Sequence, residues 1–529
     1  MKTAFGRIAL AAFALLLQAA AALAHASLTA SEPADGSVVP SAPAIYRLTF
    51  GEPVSPLTLR LVRPDGTAEL LHRFRLVDRT VEIDAPAGLG RGTHVLAWRV
   101  VSGDGHPIGG SVVFSIGEAS AQAPVVAEAV DRVVQGGLWL AKIALSIGLF
   151  IGVGGVFAMR VLMPGVTSGR RVAAAALVIG AAGAIVSGGF QGLDALGAPG
   201  ARLLDPLVWE IGLGTSYGET VGAAIVALLL AALALGVRGM VGAAVAVLAL
   251  LAATIAPALS GHASAATPQW LMRPAVFLHV LAIALWVGAL APLGLALRRR
   301  EPGARMALLR FSTAIPAIVG VLIVAGFVLA VVQVERPAAL LETAYGQVFL
   351  IKLALFIGLL ILAAVNRWFL TALAQAGDAS ATRRLTRAVS VETVLAIAIF
   401  AAAAAWRFTP PPRVLAAEAA RPAIVEMQSD KAIVVLWIGP ARAGPVRVVA
   451  NVLTVDYAPQ EAKEVTVSFA SPASGIEPFR RALQRGEGMA DWQSDGVAIP
   501  LAGTWRVRVD VLISDFETTR LESEIRIRP

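Results

Sequence analysis

Eight apolar runs, each long enough to cross a lipid bilayer, lie between residues 133 and 407 of this 529-residue chain. They fall at 133–159, 172–190, 218–237, 239–257, 274–297, 312–334, 347–366 and 388–406. A helical crossing takes about 20 apolar residues, because each residue advances roughly 1.5 Å through a hydrocarbon layer about 30 Å thick. Only residues of the type Val237-Arg238-Gly239 part the third and fourth runs, which predicts a tight helical hairpin. Of all residues 57% are hydrophobic and 15% charged, where soluble domains carry about 25% charged residues. One water-soluble core cannot hide that excess, so 133–407 is expected to be a membrane domain.

Residues 1–24 have the form of a secretory signal. Lys2 and Arg7 supply a basic start, an apolar run follows, and Ala22-Leu23-Ala24 gives a small-x-small cleavage pattern, so the mature chain would begin at His25. An uncleaved anchor is the rival, disfavoured by the short run and the cleavage pattern. An exported N-terminus makes the loops after helices one, three, five and seven cytoplasmic. Those loops carry Arg160, Arg170, Arg171, Arg238, Arg298, Arg299, Arg300, Arg305, Arg310, Arg367, Arg383, Arg384 and Arg387. The outer loops carry only Arg202, Arg273 and Arg336, together with Asp194, Asp205, Glu210, Glu335 and Glu342. This positive-inside bias agrees independently with the signal reading and absorbs most of the net charge of +8, which removes the case for a nucleic-acid partner.

An even number of crossings returns the chain to the outside. Residues 25–119 show short alternating runs, such as Tyr46-Arg47-Leu48-Thr49-Phe50, split by Pro64-Asp65-Gly66 and by Ala87-Gly88-Leu89-Gly90. The pattern predicts a β-sandwich. A linker at 120–132 leads into the membrane domain. Pro410-Pro411-Pro412 closes the last helix, 408–421 reads as a second linker, and β texture resumes over 422–529 in Ile433-Val434-Val435-Leu436-Trp437 and Trp505-Arg506-Val507-Arg508-Val509. The expected fold class is therefore multidomain, with an all-β sandwich, an eight-helix transmembrane bundle and a second small β-sandwich.

The chain has no cysteine, which excludes disulfides, iron–sulfur clusters and thiolate metal relays. Any metal must be held by His, Asp, Glu, Met or the backbone. The six histidines are His25, His72, His94, His106, His262 and His279. Once the signal is removed, His25 offers an α-amine and an imidazole that chelate one metal together, and Asp104-Gly105-His106 adds a carboxylate and a second imidazole. Nitrogen-rich sets with one carboxylate suit square-planar or tetragonal Cu(II) better than Mg or Ca, which take all-oxygen shells. On spacing alone an ordinary N-terminus and an Asp-Gly turn fit as well. His94 lies in the strand-like run Thr93-His94-Val95-Leu96 and reads as structural or as supporting the ligands, while His72 reads as a solvated surface residue.

The segments His25-Ala-Ser-Leu-Thr-Ala-Ser-Glu-Pro and Val101-Ser-Gly-Asp-Gly-His-Pro-Ile-Gly-Gly closely resemble the periplasmic copper-binding CopC family. The resemblance implies a cupredoxin-like Greek key whose Cu(II) ligands fall on His25, Asp104 and His106. Some members add a Met-rich Cu(I) loop, but no Met lies between His25 and Ala158 here, so a Cu(II)-only domain is expected. Over its eight helices the membrane region is similar to the CopD family, in Gly261-His262-Ala263, in His279-Val-Leu-Ala-Ile-Ala-Leu-Trp286, and in Lys352 with Asn366-Arg367.

His262 and His279 are the membrane-domain candidates for copper. His279 is placed five residues into the fifth run, about 8 Å below its outer start. An ionisable residue inside a span is a functional candidate by default. The bland reading makes His262 a loop residue and His279 a packing histidine. Trp286, seven residues on, reads as packing on the same face, Lys142 and Lys352 as snorkelling cations or as lining a path, Asn366-Arg367 as an interfacial anchor, and Gly148 with Gly152 as a small-x-x-x-small contact. The C-terminal domain is similar to YtkA-like periplasmic sandwiches; with no His or Cys, and only Met427 and Met489, it shows no evident metal site and is expected to serve stabilisation or contacts with a periplasmic copper chaperone or another membrane protein.

These readings imply an inner-membrane, non-enzymatic copper protein that binds Cu(II) outside and passes copper inward for homeostasis or resistance. Its only other surroundings are the lipid bilayer. The chain lacks a Gly-x-x-x-x-Gly-Lys-Ser/Thr loop, which speaks against direct ATP drive. The rivals are a membrane-anchored copper buffer or sensor, and a histidine-brace oxygenase. Asp104 would occupy a position that oxygen chemistry needs open, which counts against the latter.

Overall fold

The computed structural model describes residues 28–486 and 491–528, apart from positions 36, 52, 103–106, 119, 121–130 and 421; at 29, 102, 107, 108, 262, 265, 417–419 and 473 it describes the backbone alone. The signal segment and His25 lie outside the described residues.

The N-terminal region forms two sheets. One has the order β1 (Leu28–Glu32), β3 (Ile45–Phe50), β7 (Thr80–Asp84), β6 (Phe74–Val77). The other runs β2 (Ser37–Val39), β9 (Pro107–Ile116), β8 (Gly92–Ser102), β4 (Val54–Val62), β5 (Ala68–Leu70), with β2 parallel to β9. Alternation along β3 explains the layering. Tyr46, Leu48 and Phe50 are fully buried, while Arg47 points out to Glu32 at 2.6 Å and Glu82 at 2.9 Å. The inner faces meet through Phe50 edge-on against Trp98, centroids 5.1 Å apart, and through Tyr46 tilted against Phe114 at 5.4 Å. Gly66 and Gly88, in the two expected turns, have φ of +83° and +73°, conformations that favour glycine.

Among the described residues, eight helices are long and apolar enough to span a membrane: α1 (Arg132–Leu162), α2 (Arg170–Leu196), α3 (Ser216–Gly236), α4 (Gly239–Leu259), α5 (Gln269–Arg299), α6 (Ala304–Val334), α7 (Ala344–Gln375) and α8 (Ala379–Ala405). Their burial separates centre from rim. The apolar windows of α1 and α5 are each 67% buried against other helices, whereas that of α7 is 6% buried and leaves Ile361, Trp368 and Phe369 outward, as a lipid-facing helix should. Glycines let the central helices approach. A Cβ on Gly148 of α1 would lie 2.4 Å from the Cα of Gly180 on α2, and one on Gly154 would lie 2.3 Å from the Ala284 carbonyl oxygen on α5. The small-residue reading of Gly148 and Gly152 therefore corresponds to real contacts. Two π-helical segments, Ile147–Val153 and Ala158–Leu162, interrupt α1 along this stretch.

Hydropathy located the spans but not all of their ends. α5 begins at Gln269 and not at 274, because the helix continues through Pro274 beyond the apolar run. The 408–421 linker is not all irregular: after the break at the prolines, Pro412–Ala419 forms another short helix, with proline in the first-turn position it tolerates. Loops at the arginine-rich end are tied together, Glu301 accepting from Ser168 Oγ at 2.6 Å and from Thr167 Oγ1 at 2.9 Å, while Arg160 donates to the Leu235 carbonyl at 2.7 Å.

The C-terminal region is again two sheets. The first is ordered β10 (Ala423–Gln428), β11 (Ile433–Gly439), β12 (Gly444–Leu453), β16 (Asp491–Ile499), β15 (Gln484–Arg485). The second is ordered β14 (Ile476–Ala482), β13 (Glu464–Ser471), β17 (Gly503–Ser514), β18 (Glu517–Ile527). Every second residue of β17 (Trp505, Val507, Val509, Val511) is fully buried in the same core as Val434, Leu436 and Val448 of the opposing sheet.

Candidate metal centre

Asp104 and His106 belong to the four-residue connection 103–106, which lies outside the described residues, as does His25. The structure does describe what frames them. β8 ends at Ser102, β9 begins at Pro107, and the two are neighbours in one sheet, so the Asp-Gly-His segment joins adjacent strands; β1 starts three residues after His25.

His94 is fully buried on β8. It lies 3.1 Å from the Gly92 carbonyl through Nδ1 and stacks on Phe114, with centroids 5.5 Å apart and an interplanar angle of 13°. Nε2 is buried without a hydrogen-bond partner, which fits the neutral tautomer with its proton on Nδ1. Burial pushes the imidazole below its ordinary pKa, and the Gly92 carbonyl opposes that shift in part. His94 is a core residue. His72 is exposed, as its sequence context implies.

In the membrane domain, His262 opens a one-turn helix, His262–Ala265, just past the end of α4; Gly261 before it has φ +93°, which reverses the chain there. His279 lies ten residues into α5, hence about 15 Å from the helix start at 1.5 Å per residue, while remaining five residues past the start of the apolar run. Its Nδ1 sits 3.3 Å from the Leu322 carbonyl of α6, and Gly326 leaves the space the ring fills. The ring faces a cavity of about 340 Å³ walled by Ile283, Trp286, Phe327, Phe356, Phe400 and Lys352. Trp286 is packed as expected, 1% exposed and edge-on to Phe356.

Lys352 lines this cavity, and its Nζ reaches back toward the start of α7, 4.5 Å from the centre of the Trp406 ring, which stacks on Tyr345. Lys142 is held similarly, 4.4 Å from the Tyr217 ring centre. The membrane interior offers these ammonium groups no water, and an aromatic face is the partner available to them. Among the described residues, no group of three or more His, Asp or Glu side chains is placed to hold a metal, so His279 stands in an apolar cavity beside one cation.

Asn366 is not an interfacial anchor. α7 continues to Gln375, and Asn366 is buried in a π turn, Asn366–Leu370, where its Nδ2 donates to Glu392 Oε1 of α8 at 2.6 Å. Arg367 turns the other way and donates to Ser312 Oγ at 2.9 Å. Glu392 is the functional candidate that the apolar pattern concealed. The available signal was one acid inside the run 388–406.

These features define a multi-pass membrane protein with a β-sandwich at each end of the chain. Residues 28–117 match the family described as CopC domain, and residues 305–406 match Copper resistance protein D, CopD. Copper resistance protein C of Xanthomonas campestris pv. juglandis is 36% identical over 112 residues, covering 19% of this chain and 86% of that protein. The chain belongs to the CopC family and carries a CopD domain in the same polypeptide. Copper transport protein CutJ of Bacillus subtilis (strain 168) is 25% identical over 525 residues, 93% of this chain and 94% of the relative. Among solved structures, CopC from Methylosinus trichosporium OB3b is similar, with 26% identity, 18% of this chain, 98% of that one and a TM-score of 0.16. PcoC, a methionine-rich copper resistance protein from Escherichia coli, is also similar, with 26% identity, 17% and 98% coverage, and a TM-score of 0.16.

Proposed function

We propose that this protein captures Cu(II) outside the inner membrane on His25, Asp104 and His106 and passes copper inward through the eight-helix domain by way of His262 and His279. The observation that carries this reading is the pairing, in one polypeptide, of a CopC domain with a CopD domain, along with a relative called a copper transport protein that aligns over 93% of the chain. Both β domains then lie on the periplasmic side, and the arginine-rich loops lie inside. His25 contributes its amine as well as its imidazole once residues 1–24 are removed. The C-terminal sandwich, read as YtkA-like, serves docking. The protein carries copper as cargo and performs no catalysis on it.

Copper accumulation in cells expressing wild type, His25→Ala or His279→Ala tests the route. Both variants should accumulate less copper, and His279→Ala should leave Cu(II) binding by the N-terminal domain intact. Wild-type accumulation in both would sink the proposal. A second reading, a membrane-tethered copper buffer, draws on the missing three-donor cluster in the described membrane domain. Vesicles holding the purified protein that bind Cu(II) yet move no copper under any gradient would favour it.

A further inference from the structure

Glu392 lies thirteen residues past the start of α8 with 3% of its surface exposed, the only acidic side chain buried to that degree among the described residues. An ionised carboxylate is costly there unless a cation or several donors face it. Its one hydrogen bond comes from the neutral amide of Asn366.

The charged groups on the surrounding helices are engaged elsewhere. Lys142 and Lys352 lie over Tyr217 and Trp406, Arg367 donates to Ser312, and Arg407 pairs with Asp194. Arg132, Arg298, Arg299, Arg383, Arg384 and Arg387 are exposed. Val389, one turn before Glu392, packs at the Gly294 position of α5, and His279 and Arg273 lie about 22 and 32 Å from that position along the axis of α5. Asp378 caps the start of α8, and Glu301 is held by Thr167 and Ser168.

The amide itself shows what is missing. Asn366 Oδ1 is buried without any donor, while Nδ2 occupies one carboxyl oxygen of Glu392. A carboxylate only accepts, so the adjacent group can supply that donor only as a carboxylic acid. Protonated, Glu392 would have an O–H to offer Oδ1 while Oε1 keeps the N–H of Nδ2. Exchanging the amide's two atoms would set oxygen against oxygen at 2.6 Å, which again demands a proton between them. The π turn that presents Asn366, with Thr371 Oγ1 bonded to its carbonyl at 2.9 Å, is a backbone device common at functional sites.

We infer that Glu392 and Asn366 form a proton-binding site, and that copper moves through the membrane domain in step with the proton it holds. On uptake the proton joins Glu392 from water on the side of the α7–α8 loop. On release it returns there, leaving a carboxylate that keeps only the amide donor. The coupling to copper rests on the function proposed above; the proton site does not.

The test uses the full-length protein in lipid vesicles. Infrared difference spectra between wild type and Glu392→Gln should show the C=O stretch of a protonated carboxyl near neutral pH, and Asn366→Leu should shift its frequency. With copper ions as cargo, wild-type flux should change severalfold with the pH on the side of the α7–α8 loop, and flux through Glu392→Gln should ignore that pH. Glu392→Leu substitutes if the Gln variant fails to fold. Absence of the protonated band between about pH 5 and 9 overturns the site, and flux in the variant that still follows the pH on the α7–α8 loop side overturns the coupling. A wild type with the band but without copper flux would uphold the site and overturn the transport reading.

Discussion

Lys352 holds its ammonium 4.5 Å from the centre of the Trp406 ring while lining the same cavity as His279. If copper follows the route proposed through His279, a fixed positive charge beside it repels the cargo, and the indole face absorbs part of the charge's cost, a contact worth about 1–2 kcal/mol when desolvated. Lys352→Met should therefore fold and raise the initial rate of copper uptake, severalfold at most. Trp406→Leu should lower stability by roughly 1–2 kcal/mol, measured by unfolding in detergent. An uptake loss in Lys352→Met equal to that of His279→Ala would make the lysine part of the path.

His94 makes the N-terminal sandwich sensitive to acid. Burial holds its folded-state pKa below the unfolded value of about 6.5, so the unfolded chain binds a proton that the folded core refuses. The stability this core position provides is complete above about pH 6.5 and declines as pH falls toward the depressed folded value. Protection factors of β8 and β9 amides, that is, hydrogen exchange corrected for the intrinsic rate at each pH, should fall between about pH 6.5 and 5 in wild type. In His94→Leu, which cannot titrate, that fall should be absent from the same amides. An equal acid response in both proteins would assign the sensitivity to other groups.

The alternation of β3 and β17 was legible because a period of two with large apolar side chains has one sensible burial, and Tyr46, Leu48, Trp505 and Val507 all obey it. The eight spans were legible for a similar reason of length. Their ends were not, since Gln269 and Gln375 close helices by packing and chain reversal, on which hydropathy is silent. Glu392 was hidden because averaging over an apolar window hides a single acid, and its partner Asn366 lies 26 residues away on another helix. The expected ligands His25, Asp104 and His106 rest on sequence resemblance, since they lie outside the described residues.

Two alanines in one helix should have opposite effects. At Gly148 a Cβ would lie 2.4 Å from the Gly180 Cα, a backbone atom that cannot swing aside. At Gly136, also on α1, nothing lies within 4 Å of the added atom. Alanine improves helix propensity by up to about 1 kcal/mol at either site. Overpacking at Gly148 should exceed that gain and cost roughly 1–3 kcal/mol net. Unfolding in mixed detergent micelles should rank Gly136→Ala at or above wild type and Gly148→Ala below it; the reverse order would show that α1 and α2 can separate at little cost.

Removal of residues 1–24 should govern Cu(II) affinity through the amine it creates. An α-amine titrates near 7.7–8.0, so a chelate using it loses affinity as pH falls through that range, in addition to the loss from protonating imidazole near 6.5. Ala24→Phe, placing a bulky residue at the expected cleavage site, should leave His25 internal and its nitrogen an amide. Its Cu(II) affinity should fall at least tenfold, a difference of about 1.4 kcal/mol, and the pH dependence between roughly 7 and 8 should flatten. Competition titration of both purified proteins against a chromophoric chelator measures the two effects together. Reduced affinity with an unchanged pH profile would leave the imidazoles of His25 and His106 as ligands and remove the amine. Unchanged affinity would remove the N-terminal chelate altogether.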